Sequence, residues 1–467
     1  MRIFITSLLL LVSPTIILAN DQLIPVSEKT KKTAALLRDS ALKNNSAYEI
    51  LSSLTTEVGA RHPGTPGEKN GIDWGVRTFK KLGFDKVWTE DVQMNGWVRV
   101  SETAEVMAPY YQKLVISALG RSSSTPEGGL KGDIVEFETY ADLDKAAQGS
   151  LQGKIAFISN RMERKIDGAG YGPANIARTK GYMAAAKAGA SALLIRSIGT
   201  DDHRNPHTGG TNIFKGVTSI PVAALSNPDA DQLERLFALG HTPKVKLNIK
   251  TKDLGPIVTK NVIGEITGRE KPNEIVVIGG HLDSWDLGTG AVDDGAGVAI
   301  TMAAANFIKN TVKERPRRTI RVILWGAEEL GLIGARAYAK ARQEDGTLKD
   351  HIIGSESDFG AGPVYGLKSS EHVAPKAIHV IDTMAGLMGP LGVTRRSGGT
   401  MGGPDMIPLH ALGIPSVGLM QNGEDYFDLH HTPDDTLDKV DPKMMRQNMA
   451  VWTVFAYIAA EWPGTFK

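Results

Sequence analysis

Four separate loops of this chain place imidazole or carboxylate groups just after apolar runs. After residues 275–278, Gly279 and Gly280 end the run, His281 and Asp283 follow, and a glycine-rich stretch leads to Asp293 and Asp294. After residues 318–325 come Glu328 and Glu329, and after about 352–357 comes Asp358. The fourth loop is His430-His431-Thr432-Pro433-Asp434-Asp435-Thr436. Any one of these acids, taken alone, is more often a helix cap or a surface charge. It is the joint pattern that points to chemistry.

Taken together, His281, Asp293, Glu329, Asp358 and His431 read as metal ligands. Three carboxylates converging on one point repel strongly at short range. Two divalent cations remove that cost, because the three acids plus Glu328 formally balance their charge. Imidazole and carboxylate without thiolate suit zinc at a hydrolytic site. A carboxylate such as Asp293 can bridge the ions and leave one histidine for each, and ions ~3.5–4 Å apart acidify a water between them. Glu328 and Glu329 are neighbours on a turn and so point different ways. Glu329 is assigned to metal and Glu328 to the general base and acid that moves the water's proton to a leaving amine. Asp283, two residues from His281, is expected to accept the other ring N–H of that histidine.

The elements that must position these groups alternate strand and helix. Residues 275–278 are a β-branched run of the kind found in buried parallel strands. Residues 295–310 and 330–341 read as helices, and 318–325 and 352–357 as further strands. In such α/β sheets ligands bind outside the carboxyl ends of the strands, where these groups fall. A last helix starts with Asp441 as N-cap and Pro442 in the first turn and runs to about residue 461.

The chain begins differently. Residues 21–43 and 47–56 read as helices, 59–70 as a turn-rich loop, 71–82 as an amphipathic helix, and 84–107 as a pair of antiparallel strands. From 110 to 254 the texture changes to short β segments and turns with one helix over 175–188. Residues 261–266 resume sheet character and are expected to pair with 97–107, which makes the intervening stretch an insertion within one sheet. No residue type in that insertion suggests chemistry. His62, His203 and His207 read as solvated loop residues, and His351, His372, His379 and His410 as structural.

The 467 residues are enough for two or three domains, and the net charge of +1 implies neither nucleic acid nor an anionic membrane surface as partner. Nucleotide-binding glycine motifs and a serine nucleophile elbow are missing. With no cysteine there is no disulfide. Residues 1–19 read as a secretory signal peptide, with Arg2 ahead of an apolar stretch and Ala19 before the cut. The mature chain is therefore expected to be exported, periplasmic or secreted, without a membrane anchor.

The motifs His281-Leu282-Asp283, Asp293-Asp294-Gly295, Glu328-Glu329, Asp358 and His431-Thr432-Pro433-Asp434-Asp435-Thr436 resemble, in order, the signature of the M28 family of co-catalytic zinc exopeptidases. The wording HLDSWDLGTGAVDDGAG and Glu356-Ser357-Asp358 look most like its carboxypeptidase Q-like branch. The resemblance implies an αβα sandwich around a central mixed sheet, phosphorylase/hydrolase-like, with an inserted β-rich protease-associated (PA) domain. The division it suggests is a catalytic part over 20–109, the insertion over 110–256, and a second catalytic part over 257–467. It implies two Zn2+ per subunit, with Asp293 bridging, Glu328 catalytic, and His431 favoured over His430. It further implies a cis peptide between Asp293 and Asp294, Tyr426 as a candidate to steady an oxyanion, and a homodimer. The expected activity is hydrolysis of short peptides and dipeptides. An aminopeptidase is the close alternative, and a non-catalytic receptor on the same architecture is a more distant one, since all five ligands and the base are present here.

Overall fold

The computed structural model describes residues 23–212 and 216–467. The leader expected over 1–19 lies outside the described residues. Strand Lys271–His281 runs between two parallel neighbours, Arg318–Trp325 and His351–Glu356. Its Val276 and Ile278 join the core that includes helices Ala296–Thr311 and Pro442–Glu461. Ile275 and Val277 belong instead to a cluster with Ile323, Tyr338 and Leu409. Both faces are thus covered, which is why the run carries no polar side chain. Each such aliphatic residue contributes roughly 1.5–3 kcal/mol by leaving water.

The register sets Trp325 opposite His281 and Glu356 opposite Gly279, so three parallel strands end side by side. Helix Ala296–Thr311 follows the His281 loop and lies very close to the end of strand His351–Glu356: a Cβ on Gly297 would sit 1.9 Å from the Ser357 carbonyl oxygen. The last helix is capped as expected, the Asp441 carboxylate accepting the Lys443 N–H at 2.7 Å with Pro442 in the first turn.

Strand Arg318–Trp325 pairs on its other edge, antiparallel, with the end of strand Lys244–Ile266, so the sheet is mixed. Residues 84–107 do not split into two strands. They form one strand, Lys86–Ala108, paired antiparallel with Lys244–Ile266 along its length. Asn261 therefore faces Glu90 and Trp97 faces Asp253, a correction to the expected pairing of 261–266 with 97–107. The break in alternation near Gly96 is an irregularity in register between Gly96 and Trp97, which bends a strand without ending it. The far half of this ribbon pairs with Leu130–Phe137, which leads to Ile155–Ile158, Ala192–Arg196, Val222–Leu225 and Ile116–Ala118. The long ribbon thus runs from the His281 sheet into the β-rich stretch between its two strands. Among the described residues no helix is long and apolar enough to cross a membrane.

Candidate metal centre

Asp293 is the shared member of the site. Its Oδ1 lies 3.0 Å from His281 Nε2 and its Oδ2 lies 3.2 Å from His431 Nε2. Asp358 Oδ1 is 3.4 Å from the same nitrogen of His281, and Glu329 Oε2 is 3.0 Å from that of His431. The five residues singled out as ligands therefore meet as two histidine–carboxylate groups joined through Asp293, and Glu328 lines the same cavity.

Each member is held by the backbone around it. His281 ends its strand, and its Nδ1–H donates to the Asp283 carbonyl at 2.9 Å. This corrects the expected role of Asp283: its carboxylate oxygens instead accept the N–H groups of Glu328 at 3.0 Å and Glu329 at 3.3 Å. The ring partner is the main chain because the carboxylate is turned toward the next strand's loop. The peptide between Asp293 and Asp294 is cis, as the resemblance implied. Asp294 accepts the His281 N–H at 3.0 Å and the Gly297 N–H at 3.1 Å, joining strand end to helix start. Asp435 accepts the N–H groups of Val292 at 2.6 Å and Asp293 at 3.2 Å. His431 takes a left-handed backbone conformation, φ 63°, and its Nδ1–H donates to the Thr208 carbonyl at 3.0 Å.

With both Nδ1 protons committed to carbonyls, each Nε2 lone pair faces carboxylate oxygens. That arrangement is repulsive unless a further cation, proton or metal, lies between them. Burial opposes charging these imidazoles, yet Asp358 and Asp293 raise His281 well above its ordinary pKa. Glu329 and Asp293 push His431 up to about 9 against the same burial. Asp293 is held well below the usual carboxylate range, despite burial, by His281 and His431. Glu329 Oε1 is buried without a hydrogen-bond partner. Positive charge is called for between these groups, and the imidazole and carboxylate donors suit zinc. Burial, with Asp358 and Glu329 nearby, raises Glu328 well above the ordinary glutamate value.

His430 stacks on His431 with ring centroids 3.5 Å apart, and its Nε2 is 3.6 Å from Asp293 Oδ2. Burial and the neighbouring His431 hold it well below its usual pKa, so it is neutral. Tyr426 is buried in the cavity wall with its ring 4.7 Å from Phe359. Burial first, then Asp293 and Asp358, keep its phenol protonated.

Two of the three histidines expected to be solvated are buried instead. His62 is buried, its ring 5.2 Å from that of Trp285. His207 is buried between the His430 carbonyl and Asp201, each at 2.6 Å, whereas His203 stays exposed. The stretch between strands Lys86–Ala108 and Lys244–Ile266, read as chemically silent, supplies Arg121, Tyr171 and Arg178 to the cavity of about 350 Å³ over the site. Arg61 is wholly buried and donates to the carbonyls of Gly59, Leu282, Thr289 and Gly290. Its place in a loop rich in Gly and Pro was the one available signal.

Residues 261–456 match the profile of Peptidase family M28. Carboxypeptidase Q of Bos taurus is 32% identical over 419 residues, covering 89% of this chain and 86% of the relative. A crystal structure of a peptidase M28 precursor from Shewanella amazonensis SB2B is similar at a TM-score of 0.91 and 45% identity, covering 94% of this chain and 98% of that one. Aminopeptidase YwaD of Bacillus subtilis is 23% identical over 474 residues, covering 97% of this chain and 94% of the relative.

Proposed function

The chain belongs to peptidase family M28 and is a metallopeptidase, a hydrolase of peptide bonds; from that premise we propose that it is a di-zinc exopeptidase cleaving short, unblocked peptides, dipeptides included. One observation carries the reading: the two oxygens of Asp293 face different histidines, at 3.0 and 3.2 Å. His281 and Asp358 would hold one ion, His431 and Glu329 the other, and Asp293 both. Bound there, the zinc pair supplies Lewis acidity for a scissile carbonyl and lowers the pKa of a water.

The chain's own residues do the rest. Glu328, with its raised pKa, accepts a proton from the attacking water and passes it to the departing amine as the C–N bond breaks. Asp283 fixes the backbone of Glu328 and Glu329. Tyr426, kept protonated, donates toward the carbonyl oxygen as charge develops there.

Two cations in the insertion support recognition of a terminal carboxylate. Arg121 donates to the Leu330 carbonyl at 2.6 Å and forms no ion pair among the described residues, while Arg178 lines the same cavity. We therefore read the enzyme as a carboxypeptidase Q-like dipeptidase. Aminopeptidase action is the second reading, favoured by the likeness to the Bacillus subtilis relative. The insertion over 110–256, read as a PA domain, walls the cavity and restricts it to short substrates. Residues 1–19 support export, and the resemblance supports a homodimer. Dipeptides assayed against their N-acetylated and C-amidated forms test the specificity. Loss of cleavage with the amidated series alone is expected, and loss with the acetylated series alone would establish the aminopeptidase.

A further inference from the structure

We propose that Glu371, His372 and His410 form another metal-ion site, at the surface and sharing no residue with the Asp293 centre, that takes a divalent transition ion such as Zn2+ or Ni2+. One donor atom from each lies within 4.8 Å of the others. His410 Nε2 is 3.3 Å from Glu371 Oε1, and the rings of His372 and His410 have centroids 4.5 Å apart at 48°. The Ser416 hydroxyl, 3.4 Å from His410 Nδ1, accepts the proton of the tautomer that leaves the Nε2 lone pair for an ion.

The two halves of the site are already tied together. Glu371 and His372 follow strand Val364–Ser369, and His410 ends the short helix Ile407–His410. Ser370 and Ser416 bridge them: the Ser370 N–H donates to the Ser416 carbonyl, and the Ser416 N–H to the Ser370 hydroxyl, both at 2.9 Å. Leu409, beside His410, is fully buried and anchors that helix. The His410 side chain is only 12% exposed and so well placed, while Glu371 at 68% is free to swing inward. Tetrahedral zinc with Zn–N of ~2.0–2.1 Å needs ligand atoms roughly 3.4 Å apart. Rotation of the half-buried His372 and the exposed Glu371 closes the remaining gap. Two imidazoles select zinc, nickel or copper over calcium and magnesium, and the open side leaves a position for water.

The experiment is equilibrium dialysis of the full chain against micromolar Zn2+, with metal counted per chain. Wild type is expected to hold one ion more than the His372→Ala/His410→Ala double variant, whatever number the Asp293 centre itself retains. Peptidase activity should be equal in the two, because none of the three residues touches the catalytic cavity. Cu2+ added to protein loaded with zinc only to the level the double variant retains should show nitrogen hyperfine coupling in wild type that is absent in the double variant. Equal metal counts overturn the site. So does a Glu371→Gln variant that binds the extra ion as tightly as wild type.

Discussion

The indole Nε1 of Trp285 donates to Glu329 Oε2 at 2.6 Å, and it is the other oxygen, Oε1, that is left without a partner. Trp285 thus fixes the orientation of a flexible glutamate, holding Oε2 against His431 Nε2 at 3.0 Å and leaving Oε1 without a partner. The ring itself sits against Gly120, where a Cβ would meet it at 2.4 Å. Trp285→Phe keeps much of the packing and removes the donor. Loss of such an orienting bond usually costs 10–100-fold in metal affinity or activity. Zinc retention under graded chelator should fall by about that factor for the ion that Glu329 would hold; an unchanged chelator profile would show that Glu329 is placed without the indole.

Glu328 is the group whose loss should separate chemistry from metal binding. The Gln variant preserves shape and removes proton transfer, a contribution of typically 10²–10⁴-fold. Hydrolysis of a dipeptide should fall by at least that much while zinc content stays at the wild-type level. Near-full activity in Glu328→Gln would move the base to another residue.

What could be read from the chain alone follows from how parallel strands end. His281, Glu328, Glu329 and Asp358 all follow β-branched or apolar runs, and parallel strands bring such ends together whatever their separation in sequence. The positioning groups gave no comparable signal. Trp285, Arg61 and His207 act through partners 44 to 229 positions away, and a loop tryptophan or arginine looks the same whether it is buried or solvated. His207 was misread because Asp, Asn and Pro around it describe a loop correctly, while burial of that loop against His430 and His431 is a tertiary event. The ribbon was misread because an irregularity at Gly96 and a turn both interrupt alternation.

Arg61 offers a test of how the metal-bearing loop is held. Its guanidinium and amide serve Leu282, Ser284, Thr289 and Gly290, which lie within the span between His281 and Asp293. Arg61→Met leaves several buried carbonyls without donors, each costing ~1–3 kcal/mol. A loss of at least ~2 kcal/mol in unfolding free energy is expected, together with weaker zinc retention. Lysine should not rescue either property, since one ammonium cannot span carbonyls that a planar fork reaches at once. Rescue by Arg61→Lys would reduce its role to charge alone.

His351, away from the centre, makes a pH prediction with a definite sign. Its Nε2 accepts the Tyr338 hydroxyl at 2.7 Å, and its Nδ1–H donates to the Thr347 carbonyl at 3.1 Å. Burial, then the charge of Arg321, depress its pKa to about 3. In the unfolded chain the ring takes up a proton near the ordinary value of ~6.5. Between these values the unfolded state binds more protons than the folded one, so stability is whole above about pH 6.5 and is lost as pH falls toward 3. Each unit of that descent costs at most ~1.4 kcal/mol. His351→Gln retains an acceptor for Tyr338 and a donor for Thr347 but cannot titrate. Urea unfolding from pH 7 to pH 4 should show wild type losing stability faster than the variant by on the order of 1–3 kcal/mol over that range. Parallel curves would mean that His351 is charged in the folded protein, and the hydrogen bond from Tyr338 would then have to be reversed.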